Sequence, residues 1–464
     1  MKCEFANKAG PEWLVMAKGL GVSGNVTRAS SSRLEHDARL STADHKRVSP
    51  GEIAVGVVIG RTSEFFDFFV YGIASVLVFP QLMFPLYDRL TGMLLSFAVF
   101  ALAFIARPIG SVLFMAIDRR HGRGVKLTTA LFLLGGSTAA IAFLPGYPQI
   151  GPAAPVLLAI CRFCQGLALG GAWDGLASLL ALNAPQARRG WFAMMPQLGA
   201  PLGLLLASAL FAFFVSTLSQ ADFLLWGWRY PFFVAFAVNV VALFARLRLV
   251  VTHEFVTLLE RRELQPTRVV EMFRAEGRNV LLGAFVPLAS FALFHLVTVF
   301  PLSWIVLYTN QTRGAFLVLE MVGAAVGLLA VVASGLLADR IGRRMLLGIC
   351  AVLIAVFSVL APLLLGGGRI GEAAFMLLGF AILGLSFGQA AGAVTSNFSR
   401  HYRYTGAALT SDLAWLIGAG FAPLVVLALC SRFGLAFIGV YLMSGALCTL
   451  AALRINRHLE MRET

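Results

Sequence analysis

Three ionisable side chains, Arg61, Glu64 and Asp67, stand at i, i+3 and i+6 inside the otherwise apolar run GRTSEFFDFFVYG. At 100° per residue they occupy one arc of a helix, and Tyr71 falls back within it. A carboxylate in such a setting can load and release a proton, and a guanidinium offers a planar fork for a carboxylate. Each charge at mid-membrane depth costs at least about 2.5–3.5 kcal/mol on insertion scales, so in a membrane-crossing run this face must look into the protein or a water-filled cavity. Arg61 and Glu64 also have the spacing of a plain helix-locking pair, and that bland use stands beside the chemical one. Asp67, nearer the middle of the run, is the first candidate for carrying a proton and Glu64 the second.

Further along, Arg162 is followed one turn later by Gln165. Two roles fit Arg162: a ligand for a substrate carboxylate, or a structural partner for Asp67 or Glu64. His295 reads either as a ligand or as a hydrogen-bonded core histidine, and Gln389 and Glu320 are candidates for the same interior. Arg107 lies near one end of its run, where snorkelling or a structural contact accounts for it. Cys161 and Cys164 form CRFC, but no second ligand pair lies nearby, so they read as small apolar residues. GLGVSG at 19–24 has the GxGxxG spacing without a preceding strand and is set aside. No metal-ligand cluster, cofactor motif or nucleophile–base constellation emerges, so neither an enzyme nor a metal or cofactor site is expected.

The elements that position these residues are apolar runs. With 59% hydrophobic and 13% charged residues, against roughly 25% charged in soluble domains, the chain is polytopic. Runs of about twenty residues or more fall near 53–79, 91–117, 126–146, 155–183, 192–217, 229–250, 281–308, 315–337, 345–366, 372–397, 407–430 and 434–454. In lipid these must be helices, giving an all-α protein with 12 transmembrane helices. The net charge of +14 gathers in short loops such as DRRHGRGVK, QARRG and DRIGRR, while LPGYPQIGPAAP has none. That asymmetry places both termini in the cytoplasm and removes the need for a nucleic-acid partner. The expected organisation is a cytoplasmic tail over 1–50 without a signal peptide, a six-helix bundle over 51–250, a cytoplasmic linker over 251–280, a second six-helix bundle over 281–455 and a tail over 456–464.

The two halves repeat. IDRRHGRGVKL follows the second run and ADRIGRRMLL the eighth. GLLADRIGRR at 335–344 fits the loop signature of the major facilitator superfamily, which the chain resembles from 51 to 455. It is most similar to the metabolite:proton symporters of that superfamily, on the strength of ExFDFxxYG at 64–72, ARPIG at 106–110, RFxQGxxxGG at 162–171, PQLGAPLG at 196–203, WRYPF at 228–232 and RYTGAAL at 403–409. The resemblance implies two pseudo-symmetric six-helix bundles with helices 1 and 4 lining a central cavity. It also implies gates at the repeated loops: Asp339, Arg340, Gly342 and Arg343 in the second half, with helix 11 as the expected partner of Asp339, and Arg119 and Arg123 in the first.

Departures from the pattern carry information. Arg61 stands where the family has Asn, the family's Glu in helix 4 is Ala172, and a carboxylate appears two residues on as Asp174. Arg61 and Asp174 have matching depths, which suggests a relocated ion pair. Arg119 occupies the first loop's Asp position, with Asp118 displaced by one. Asp412 stands in the RYTG helix close to the cytoplasm, where contacts with Arg340 or Arg343 fit as well as contact with substrate.

The resulting expectation is proton-coupled uptake of a small organic anion, a carboxylate, across a bacterial inner membrane by a monomeric carrier with both termini cytoplasmic. Embedded arginines favour an acid over a sugar. A zwitterionic osmolyte such as proline or betaine is the alternative, although the chain shows no heptad tail of the coiled-coil osmosensing type; a proton-antiporting exporter of metabolites or drugs would share the architecture.

Overall fold

The computed structural model describes residues 50–172, 180, 184–250, 265–395, 398–399 and 401–455. The helices are α1 (Pro50–Leu77), α2 (Arg89–His121), α3 (Arg123–Phe143), α4 (Ala153–Gly171), α5 (Arg189–Thr217), α6 (Arg229–Val250), α7 (Leu288–Tyr308), α8 (Arg313–Ile341), α9 (Arg343–Leu365), α10 (Gly368–Thr395), α11 (Arg403–Phe433) and α12 (Ala436–Ile455). Among the described residues, 11 helices are long and apolar enough to cross a membrane. α1, at 28 residues, is long enough but carries Arg61, Glu64 and Asp67, and it supplies the twelfth crossing.

Local chemistry sets the boundaries. The Asp88 carboxylate caps α2 by accepting from the amides of Leu90 and Thr91, both at 3.1 Å. Gly122 and Gly342 turn the chain from α2 to α3 and from α8 to α9 at φ +86° and +85°, a left-handed conformation that glycine adopts at least cost. The amide of Gly122 bonds the Asp118 carbonyl and that of Gly342 bonds the Ala338 carbonyl, so the two turns have the same register. Asp118 therefore corresponds to Ala338, and Arg119 to Asp339.

Burial separates central from peripheral helices. Every residue from Leu288 to Phe300 of α7 is buried, as is the stretch of α1 from Ser63 to Leu77. On the periphery Phe132 of α3, Val359 and Leu363 of α9 and Leu447 of α12 lie on the outer surface, as expected of side chains that face hydrocarbon. α2 packs on α4 and α8 on α10 with the backbones nearly touching. A Cβ on Gly170 would overlap the α2 backbone at Arg107.

Two long seams run where α2 meets α11 and α5 meets α8. The α5–α8 seam is antiparallel, with Gly190 opposite Ala338, Met194 opposite Gly335 and Ser208 opposite Glu320. The end of the molecule that carries the Gly122 and Gly342 turns, with Arg119, Arg120, Arg340 and Arg343 around them, is called the basic end below. The helix Val269–Phe285 starts within the stretch read as a linker and leads directly into α7.

Candidate functional site

A line of buried polar side chains runs through the middle of α4, α3 and α1. Arg162 Nη1 donates to Gln165 Oε1 at 3.1 Å, Gln165 Nε2 donates to the Thr138 hydroxyl oxygen at 2.8 Å, and that hydroxyl donates to Asp67 Oδ1 at 2.5 Å. All four side chains are at most 2% exposed. Each bond points the same way, from the cation toward the carboxylate, so each polarises the next. Arg162 and Asp67 are thus linked through two neutral groups. Aromatic rings surround Arg162: its guanidinium lies 3.9 Å from the centroid of Tyr71, 4.9 Å from Phe100 and 5.5 Å from Phe68. Its Nε donates to the Phe100 carbonyl, while its Nη2, like the Tyr71 hydroxyl, is buried without a hydrogen-bond partner.

His295 on α7 meets the same rings from the other half of the chain, with centroids 5.4 Å from Phe68 and 5.3 Å from Phe100. Its Nδ1 lies 3.5 Å from the Thr298 hydroxyl and its Nε2 has no partner. Phe65, Phe104, Phe294, Phe387 and Trp415 complete an aromatic layer between the halves.

Beside that layer is a cavity of about 30 Å³, room for a couple of waters, walled by Arg61, Glu64, Phe65, Phe68, Phe104, Arg107 and Trp415 among others. Arg61 Nη1 donates to Glu64 Oε2 at 2.5 Å, the i, i+3 pairing foreseen as the bland alternative. Asp174, the partner proposed for Arg61 from matching depth, lies outside the described residues. Arg107 Nε donates to Asp412 Oδ1 at 2.7 Å, and the Ser111 hydroxyl donates to the other oxygen of Asp412. Asp412 therefore joins α11 to α2, and the expected contacts with Arg340 or Arg343 are not made. Arg340 is exposed, and Arg343 donates to the Gly392 carbonyl on α10. The reason is depth: Asp412 sits more than two turns into α11, opposite the middle of α2, while those arginines flank the Gly342 turn at the helix ends.

Asp339 accepts from the backbone amides of Gly190 at 2.6 Å and Trp191 at 3.2 Å, at the start of α5. Its partner is thus helix 5 and not the expected helix 11, because α8 runs beside α5 across the seam. Gln389 belongs to this contact and does not line the cavity: its Nε2 donates to the Gly190 carbonyl at 3.1 Å. At the first loop Arg119 donates to the Thr267 carbonyl, and Arg123 lies 3.5 Å from Asp118 and 4.8 Å from the Tyr404 ring centroid. Lys126 Nζ donates to the Tyr404 hydroxyl at 2.7 Å.

Thr138, Ser111, Lys126 and Tyr404 were not picked out from the sequence. A single hydroxyl in an apolar helix carries no periodic signal. Lys126 stands where the basic loop DRRHGRGVK meets the run 126–146, and it is 1% exposed; a lysine at the start of a span is the one signal that marks it.

A twelve-helix bundle with charges buried at its centre and loop contacts at one end is the architecture of a membrane transporter, and the comparisons agree. Residues 57–423 match the Major Facilitator Superfamily. The inner membrane metabolite transport protein YhjE of Escherichia coli (strain K12) is 36% identical over 92% of this chain and 98% of its own length. The shikimate transporter of the same organism is 30% identical over 85% of this chain and 91% of its own. The crystal structure of a D-xylose–proton symporter superposes with a TM-score of 0.67 at 19% identity, covering 88% of this chain and 97% of that one. The chain belongs to the major facilitator superfamily, whose members here are transport proteins and not enzymes.

Proposed function

We propose that the chain imports a small carboxylate together with a proton, by alternating access of two six-helix bundles to a site at the central cavity. The observation that carries this reading is a charge balance. Among the described residues, three central guanidiniums face three carboxylates: Arg61 with Glu64, Arg107 with Asp412, and Arg162 with Asp67 through Gln165 and Thr138. Protonating one carboxylate leaves one positive charge uncompensated, which a substrate carboxylate neutralises. Binding of the anion in turn favours the proton, and that reciprocity is what symport requires. Asp67 is the proton carrier in this scheme, since its link to Arg162 runs through a hydroxyl able to reverse its donor role. Arg61 and Arg107, which wall the cavity, hold the substrate carboxylate. Sidedness follows from the loops: the basic end faces the cytoplasm.

The test is uptake by the purified protein in liposomes. An inward proton gradient should drive accumulation of the carboxylate, its addition should make the external medium more alkaline, and Asp67→Asn should abolish accumulation while leaving exchange across equal concentrations. Acidification of the medium on substrate entry would instead identify an antiporter. One observation favours a second substrate reading. Phe65, Phe68, Phe104 and Trp415 in the cavity wall could surround a quaternary ammonium, so a betaine-type zwitterion is the competitor to assay beside simple acids.

A further inference from the structure

Glu320 is a carboxyl group for which the transport scheme has no use. It lies on α8, fully buried, seven residues from the helix start at Arg313, or about 10 Å along the axis. Its Oε2 accepts from the Ser208 hydroxyl of α5 at 3.1 Å, and its Oε1 has no partner. The contact crosses the α5–α8 seam in the half away from the basic end. On the same face of α8 are Phe316, Leu317 and Ala324, and Leu204 and Phe211 lie one turn either side of Ser208 on α5, all buried.

No described cation forms an ion pair with it. α5 brings no ionisable side chain between Gly199 and Thr217. The ionisable groups of the other helices packed on α8 are Arg369 and Glu372 near the start of α10, His295 and Tyr308 on α7, Arg343 and Arg344 at the start of α9, and Arg313, Asp339 and Arg340 on α8 itself. His295 is enclosed by aromatic rings, and Arg343, Arg344, Asp339 and Arg340 lie at the basic end. An ionised carboxylate with one neutral hydroxyl as its only donor, in an apolar seam, is costly. A carboxylic acid fits the same place: its carbonyl oxygen accepts from Ser208 and the proton rests on the other oxygen.

We propose that Glu320 is a proton-binding site, separate from Asp67, that must be loaded before the α5–α8 seam closes at the end away from the basic loops. When the seam parts there, Ser208 withdraws and water reaches the carboxyl group, which transfers its proton to water and becomes a carboxylate stabilised by hydration. Closing runs the balance backwards: hydronium gives its proton to the carboxylate, water leaves, and Ser208 donates to the neutral acid. Acid therefore favours the closed seam and alkali the open one, whichever substrate is carried.

The experiment places spin labels at Ser216→Cys and Thr312→Cys, which flank the seam at that end, in the full chain with native cysteines replaced, and follows the distance distribution against pH in nanodiscs. In the otherwise unaltered protein the closed-to-open ratio should fall as pH rises, by at most about tenfold per pH unit, the limit for one proton. With Asp67→Asn in the background, so that the transport proton carrier is silent, the response should remain, and adding Glu320→Gln, which mimics the neutral acid, should hold the seam closed across the range. A response that persists in the double variant, or that is already absent in Asp67→Asn, overturns the proposal. Ser208→Ala, which leaves the carboxyl group but removes its donor, should shift the balance toward the open form without abolishing the pH response; an unshifted balance also counts against it.

Discussion

The Gly342 turn closes its seam with a carboxylate, whereas the Gly122 turn closes its seam with cations. Asp339 reaches across to two amides at the start of α5, where the unpaired N–H groups and the helix dipole favour a negative charge. At the corresponding place in the first half stands Arg119, and the acid is one residue earlier. One residue is a 100° rotation on a helix. Asp118 accordingly points into its own loop, 3.5 Å from Arg123 and 3.9 Å from Lys126, and the crossing to α11 falls to Lys126 and Arg123 on Tyr404. That seam has a second fastening, the Arg107–Asp412–Ser111 contact deeper in the bundle. Positions related by the internal repeat thus keep their geometry while exchanging their chemistry. The second-half contact gathers Asp339 and Gln389 on one short backbone stretch at Gly190 and Trp191, whereas the α2–α11 seam spreads its closure over side chains at two depths.

The largest test of this contrast is Asp412→Ala. It leaves Arg107, a mostly buried guanidinium, without its anion, and removing one partner of a buried pair costs about 3–5 kcal/mol. Thermal unfolding of the purified protein should show a marked loss of stability that a second change, Arg107→Met, largely restores. A double variant as unstable as the sum of the single ones would mean the pair does not hold the seam. Next in size is Asp339→Asn, which keeps one acceptor oxygen but gives up the charge behind two bonds, a loss of about 1.5–3 kcal/mol in all. The closed population at the basic end should fall about tenfold or more, read as faster labelling of a cysteine at exposed Arg188 by a bulky thiol reagent. Asp118→Asn should change that rate little, because its contacts lie within one loop. Equal effects of the two substitutions would dissolve the distinction between the turns.

Much of the fold was legible because lipid imposes it. Runs such as 345–366 can only be helices, and the paired loops at Gly122 and Gly342 announced the repeat. The polar face of α1 was legible for the same reason, since three charges in one apolar run demand burial, and Glu64 and Asp67 are buried. What the sequence could not convey was which buried group meets which. Arg107 and Asp412 are 305 residues apart, and no local pattern records that pairing. Helix 11 as the partner of Asp339 rests on the family resemblance, since an acid beside a turn does not itself say which helix start lies opposite. Gln389 looked like a cavity residue because an amide in an apolar helix suggests a ligand, and a backbone carbonyl on a neighbouring helix satisfies it equally well.

The smallest expected effect isolates the chemistry of the Gly122 turn. Tyr404 offers two things to the first loop: a hydroxyl oxygen that accepts from Lys126 and a ring face for Arg123. Tyr404→Phe removes the first and keeps the second. The lost hydrogen bond should be worth about 1 kcal/mol, a roughly fivefold change in the closed-to-open ratio at the α2–α11 seam. Tyr404→Leu removes both and should add a further loss of about 0.5–2 kcal/mol if the ring carries a cation–π contact. Distance measurements between labels on the basic ends of α2 and α11 would read both steps. Were Tyr404→Phe as damaging as Tyr404→Leu, the hydroxyl alone would hold the loop, and the first-half turn would be, like the second, a fastening that rests on hydrogen bonds with no share from the ring face.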